Sequence, residues 1–162
     1  MTKTVLLGDV CKKITSGGTP LTSEPTYYGG SIPWLRTQEV GFGNIYSTEK
    51  TITEDGLINS SARIIPENSV IVAMYGATAG KVAINKIPLT TNQACCNLII
   101  DPEKADYRFI YYQLMGDYED LLNSATGGAQ QNLSASQIAR RPVLLPELGP
   151  QKQIAKTLGD LD

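Results

Sequence analysis

The stretch Gly76-Ala77-Thr78-Ala79-Gly80-Lys81-Val82 is the nearest thing in the chain to a phosphate-cradling glycine loop. A nucleotide-binding loop of that kind needs four residues between its glycines and a Ser or Thr after the lysine. Here three residues separate Gly76 from Gly80, and Val82 follows Lys81. The altered spacing changes which backbone N–H groups point inward, so a tight strand-to-strand connection is the better reading. Carboxylates gather at Asp117, Glu119 and Asp120 in a helical pattern. Neighbours in sequence do not face one another on a helix, so these read as a solvated face rather than an acid–base pair. The chain contains no histidine, which removes Ser-His-Asp and Cys-His nucleophile systems and the usual histidine metal sites. No Asp/Glu-x-Lys triplet of a metal-dependent nuclease occurs, nor an Asn- or Asp-Pro-Pro-aromatic run of an amino-methyltransferase. Gly41-Phe42-Gly43-Asn44 reads as a turn. Cys11, Cys95 and Cys96 form no Cys-x-x-Cys pair and read as buried, reduced thiols. What is left is hydrogen-bonding chemistry: Arg36, and the amides Gln130, Gln131 and Asn132. Arginine pairs with guanine edges and Asn or Gln with adenine edges, although amides also stabilise loops.

Those residues need a scaffold, and the composition supplies one. The chain has 162 residues, 41% hydrophobic and 19% charged, which suits one compact domain with a buried core. Fourteen basic and 16 acidic residues give a net charge of −2. That argues against a protein that coats nucleic acid by charge alone, while leaving room for a local basic face. Met1–Leu7 lacks an apolar stretch of signal-peptide length, and no run approaches the ~18 apolar residues of a membrane span. A soluble, cytoplasmic protein without membrane contact is expected.

Thr4–Leu7 reads as a short strand, followed by a long loop from Ser16 through Pro25 to Gly30. Ile32–Thr37 reads as a strand and Ile52–Ser60 as a short helix with Thr53 as its cap. Arg63–Ile65, Val70–Tyr75, Lys81–Asn85 and Cys95–Ile100 read as further strands. Between Tyr107 and Leu122 the apolar period changes to that of one long helix, capped by Asp106. Ser134 would cap a short helix over Ala135–Arg140, and Pro142–Pro146 frames a short strand. Pro150 reads as the first residue of a last helix, where Ile154, Leu158 and Leu161 open an a/d seam. The fold class is therefore α+β, a small twisted mixed or antiparallel sheet with packed helices and the start of a long C-terminal helix.

Taken in order, the segments resemble a target recognition domain of the DNA specificity (S) subunit of type I restriction-modification systems. The resemblance is carried by Leu7-Gly8-Asp9-Val10, Gly17-Gly18-Thr19-Pro20 and Tyr27-Tyr28-Gly29-Gly30-Ser31-Ile32-Pro33-Trp34. It continues through Gly76–Ile84, Thr91-Asn92-Gln93-Ala94, Gly127–Ser134, Leu144–Leu148 and Gln151–Ala155. It implies a non-catalytic component with no cofactor and no metal of its own. The partners it implies are double-stranded DNA, the methyltransferase (M) and restriction (R) subunits, and a second recognition domain or half-subunit joined through the spacer helix. Residues 1–149 would be the recognition domain and 150–162 the root of the spacer. Since S subunits usually carry two such domains, this length reads as a half-subunit or a fragment. On this reading, Lys13 and Lys81 hold phosphates while Arg36, Gln38, Gln130 and Gln131 meet bases. Thr19, Thr37, Tyr75, Thr78 and Asn132 complete the DNA surface, and Ile154, Leu158 and Leu161 face a partner helix. Trp34 is expected in the core, and Asn92 and Gln93 could simply satisfy buried backbone groups. The rival reading is a protein-interaction module or orphan half-subunit that binds the methyltransferase without reading DNA.

Overall fold

A computed structural model describes residues 1–125 and 132–162. The strands are β1 (Lys3–Leu6), β2 (Cys11–Ser16), β3 (Tyr28–Leu35), β4 (Asn44–Ile45) and β5 (Lys50–Ile52). They continue with β6 (Val70–Ala73), β7 (Val82–Asn85), β8 (Thr90–Thr91), β9 (Cys95–Ile100) and β10 (Pro142–Leu145). The helices are α1 (Glu54–Ile58), α2 (Tyr107–Gly116), α3 (Tyr118–Asn123), α4 (Ala135–Ala139) and α5 (Leu148–Leu161). Five strands form one sheet in the order β2-β9-β6-β7-β4, three form a second in the order β5-β3-β8, and β1 pairs with β10. Both antiparallel and parallel pairings occur, β3 with β8 and β4 with β7 being parallel. The expected α+β class with a mixed sheet is what the chain adopts.

The central strands β6, β7 and β9 of the larger sheet are buried on both faces, which explains why they read as unbroken apolar runs rather than alternating ones. Successive side chains on a strand point to opposite faces. Val70 and Val72, Val82 and Ile84, and Cys96, Leu98 and Ile100 accordingly enter one core with Phe109, Ile110 and Leu114 of α2, Leu121 of α3 and Ile138 of α4. Ile71, Ala73, Ala83 and Cys95 enter the opposite core with Leu35, Val40, Ile65 and Leu89. Trp34 is buried with Ile32, Ile52 and Ala62 in a third, smaller cluster. Burial pushes the Cys11, Cys95 and Cys96 thiols up to about 12, so they stay protonated and serve as small apolar side chains.

Three local expectations change, and one strand goes beyond them. The polar segment Cys11–Ser16 is a strand, because β9 supplies its hydrogen-bonding partner even though Lys12 and Lys13 face solvent. Arg63–Ile65 makes only the single bridge Ile65–Leu89, since the turn at Pro66–Ser69 diverts it from a full ladder. The helix expected over 107–122 is two helices broken at Asp117, whose backbone leaves helical geometry. The last helix begins at Leu148, so Pro150 lies inside its first turn, where a missing N–H costs nothing. The Thr53, Asp106 and Ser134 caps form as read, Ser134 in a reciprocal capping box with Gln137.

Asp106 accepts from the backbone N–H groups of Arg108 and Phe109, and its carboxylate pairs with the Arg108 guanidinium at 3.1 Å. Partial burial pushes its carboxyl up, but the hydrogen bonds and charge of Arg108 outweigh that and hold it below its ordinary value. The resulting stabilisation is present above the unfolded carboxyl's pKa and is lost as pH falls through the folded one. Asp106→Ala should cost about 1 kcal/mol in urea unfolding at neutral pH, and the difference from the parent should vanish in strong acid.

Candidate nucleic-acid interface

Strand directions bring the glycine- and amide-rich loops to one end of the two sheets. Ser16, the last residue of β2, pairs with Cys96 near the start of β9, and Ala73, the last of β6, pairs with Cys95. Leu35 and Thr91, which end β3 and β8, lie side by side in parallel register. The segments that follow or precede them are 17–20, 36–39, 74–81 and 92–94, and all emerge at this end.

Hydrogen bonds tie these loops into one surface. Thr78 Oγ1 donates to the Thr37 carbonyl at 2.8 Å, and Thr37 Oγ1 donates to the Ala94 carbonyl at 3.4 Å. Thr19 Oγ1 donates to Gln93 Oε1. The Leu133 N–H donates to the Met74 carbonyl at 2.8 Å, which brings the chain at Asn132 to the end of β6. Gln38, Tyr75, Thr19, Gln93 and Asn132 are exposed, whereas Thr37 and Thr78 are half-buried. Gly76 has φ 76° and Gly80 φ 85°, so the turn between β6 and β7 depends on left-handed backbone at both. That turn is the strand connection read from the sequence in place of a nucleotide loop.

The expected contact residues divide into three groups. Thr19, Thr37, Gln38, Tyr75, Thr78 and Asn132 sit together at this end. Lys81 borders it, with its ammonium 6.0 Å from the centre of the Phe42 ring. Lys13 does not join them: it is exposed in mid-strand on β2, opposite Ile99. Gln130 and Gln131, with Gly127 and Gly128, lie outside the described residues.

Arg36 stands at the edge of the cluster in an unexpected state. Its Nη2 is 2.5 Å from Glu49 Oε2, and its Nε is 3.6 Å from Glu39 Oε2. Glu39 also accepts from the Arg36 N–H at 2.9 Å and the Glu49 N–H at 3.0 Å, so one carboxylate organises both neighbours. Glu39 and Glu49 were not legible as site residues. The β3–β5 pairing, with Trp34 opposite Lys50, is what carries Glu49 to Arg36, and only the three-residue spacing of Arg36 and Glu39 hinted at a contact. Gln93 is likewise a surface amide rather than a buried backbone partner. Asn92 does take the local role, accepting from the Ala94 N–H at 3.3 Å.

Elsewhere, Ile154, Leu158 and Leu161 are exposed on α5, while Gln151 and Ala155 on an adjoining face are buried. Gln151 anchors that helix, accepting from the Asp106 N–H at 2.9 Å and donating to the Pro146 carbonyl at 2.8 Å. Among the described residues, no group of three or more His, Cys, Asp or Glu side chains could hold a metal, and no helix is long and apolar enough to cross a membrane.

The sequence profile of the type I restriction modification DNA specificity domain matches residues 2–162. The chain belongs to this family. It is similar to the specificity subunit of the type I restriction enzyme EcoR124I/EcoR124II of Escherichia coli, 29% identical across 96% of this chain and 40% of that one. It is also similar to the MjaIX specificity subunit of Methanocaldococcus jannaschii, 30% identical across 93% of this chain and 35% of that one. This specificity-domain chain therefore spans less than half the length of those relatives. Among solved structures it matches a chain from a study of complex assembly and conformational transition of the type I R-M system, with TM-score 0.76 and 17% identity over 99% of this chain and 38% of that one. The HsdS subunit of Thermoanaerobacter tengcongensis matches with TM-score 0.69 and 17% identity over 98% of this chain and 36% of that one.

The specificity-domain fold leaves no room beneath this surface. A Cβ on Gly17 would run into the Thr91 carbonyl, and one on Gly18 into the backbone at Ser61–Ala62. Backbone atoms cannot step aside as a flexible side chain would. Gly17→Ala should therefore lower stability by at least about 1–3 kcal/mol in chemical unfolding. Gly41→Ala, where a Cβ meets nothing, should unfold like the parent.

Proposed function

We propose that this domain reads one half of a bipartite double-stranded DNA target for partner methyltransferase (M) and restriction (R) subunits, and that it does so without catalysing a reaction itself. The carrying observation is the convergence of segments 17–20, 36–39, 74–81 and 92–94 on one exposed, polar, hydrogen-bonding end. Such a surface has the donors and acceptors that base edges require, on loops held by a doubly packed sheet. The relatives are specificity subunits, which is the same direction reached from the residues. The cytoplasm is the compartment where this role would be exercised.

Charge limits how the reading can work. The net charge is −2, and the Arg36 guanidinium is already matched by Glu39 and Glu49. Phosphate contacts supply most of the affinity of a DNA-binding protein, with few such contacts available here. The domain would choose the sequence, and most of the phosphate grip would come from the M partner. The exposed Ile154, Leu158 and Leu161 favour a helix-mediated partnership, either with a second recognition domain or half-subunit or with M. That stripe is also the observation behind the rival reading, a module that binds M without reading DNA.

Fluorescence anisotropy on specific and random duplexes, with and without M, separates the two. The chain alone should bind weakly at physiological salt, and the complex should bind selectively. In the complex, Lys81→Ala should weaken binding to all duplexes alike and lower the salt slope by ~1. Gln38→Ala should instead cost ~1–3 kcal/mol of discrimination at one base position. A complex with no base preference would leave the interaction-module reading.

A further inference from the structure

We propose that Arg36 and Glu49 act as a single composite reader of one G·C base pair in the major groove. This rests on the DNA-reading role above and names the base pair that this edge of the surface would take.

The pair is joined and open at the same time. Arg36 Nη2 and Glu49 Oε2 are 2.5 Å apart, yet the Glu49 side chain is 71% exposed, so its carboxylate can accept a further hydrogen bond. The Arg36 side chain is 20% exposed and its Nε is buried, so a base edge would have to meet its Nη groups. Behind them Glu39 holds the Arg36 and Glu49 backbone N–H groups with its two carboxylate oxygens, so the pair is held from one side and presented from the other. The adjoining residue, Thr37, is bonded to Thr78 and Ala94, which makes this pair continuous with the rest of the surface.

Read along its edge, the pair offers two donors from the guanidinium and then an acceptor from the carboxylate. A G·C pair in the major groove offers two acceptors, guanine N7 and O6, and then a donor, cytosine N4–H. Guanine O6 and cytosine N4 are hydrogen-bonded to each other, so they stand about 2.9 Å apart. The bonded Arg36–Glu49 atoms have a similar spacing, and one bonded donor–acceptor couple can therefore lie against the other without being broken.

The other base pairs fit less well, each for its own reason. With thymine first, O4 and adenine N6–H still match the inner couple, but the outer arginine donor meets the thymine methyl group. With adenine first, the inner donor meets the N6–H donor and the carboxylate meets the O4 acceptor. With cytosine first, the same two like-with-like oppositions arise at N4–H and O6. The expected order at this position is G·C, then T·A, then A·T and C·G.

The test is selection of bound duplexes from a randomised library by the chain assembled with its methyltransferase partner. The parent should enrich one G·C position. Glu49→Ala and Glu49→Gln should each reduce the preference at that position, by between about fivefold and 150-fold, and leave other positions unchanged. Placing 7-deazaguanine there should weaken the parent complex and leave Arg36→Ala unaffected. Thermal melting of each Glu49 variant, expected to match the parent because Glu49 is exposed, separates loss of reading from loss of folding. If both Glu49 variants bind every duplex more tightly with base preferences unchanged, Glu49 only masks Arg36 and the composite reader is wrong. Unchanged preferences with unchanged affinity would overturn it as well. A parent complex without preference at any position would overturn the DNA-reading role itself.

Discussion

The geometry of this domain depends on one close backbone contact, where Gly17 and Gly18 cross Thr91. The chain passes between its two main sheets at this point: β2 ends at Ser16 in the larger sheet, and Thr91 closes β8 in the smaller one before the chain enters β9. The Gly18 N–H donates to the Thr91 carbonyl at 2.9 Å, and the buried Asn97 side chain donates to Thr91 Oγ1 at 2.9 Å. Trp34 Nε1 donates to the Gly18 carbonyl at 3.0 Å, and the Asn92 N–H to the Leu35 carbonyl at 2.9 Å. Backbone meets backbone here, so only glycine can occupy the crossing. Once it is made, it ties the loops on either side to one another.

The surface inherits its rigidity from that crossing. Loop 92–94 is continuous with Thr91, loop 17–20 with Gly17, and loop 36–39 with Leu35. Thr37 and Thr78 then couple the β6–β7 turn to the same group. A polar surface mounted this way loses little conformational entropy on meeting a ligand, which is the condition for discriminating among base pairs rather than merely adhering to DNA. The division of labour follows from charge. With acidic residues in slight excess and Arg36 neutralised by two carboxylates, the proposed DNA role would be one of choosing a sequence more than of holding a duplex.

Much of this was legible in the residues, and the exceptions have physical causes. The apolar runs at 70–75, 81–85 and 95–100 announced strands because sheet burial on both faces demands continuous apolar character. The caps at Thr53, Asp106 and Ser134 were legible because a cap is a local bargain between a side chain and N–H groups two or three residues on. Cys11–Ser16 was missed because a polar strand is recognisable only beside its partner, and β9 lies some 80 residues away in sequence. The break at Asp117 was missed because the apolar period runs through it. At the site, the segments read from the sequence include loops that meet at one end of the sheets, whereas Lys13 lies apart from them and Gln130 and Gln131 lie outside the described residues. Glu49 was silent because a charged residue in a polar stretch carries no signal until the β3–β5 pairing sets it against an arginine, and Glu39 was marked only by its three-residue spacing from Arg36.

The central claim is that loops from four separate parts of the chain form one DNA-facing end. Hydrogen-exchange protection of the chain assembled with its methyltransferase partner, compared with and without a cognate duplex, tests this most directly. The account predicts added protection in residues 17–20, 36–39, 74–81 and 92–94 together, with β1 and β10 unchanged. Protection confined to α5 or the β1–β10 pair, with those four segments unaffected by DNA, would contradict it.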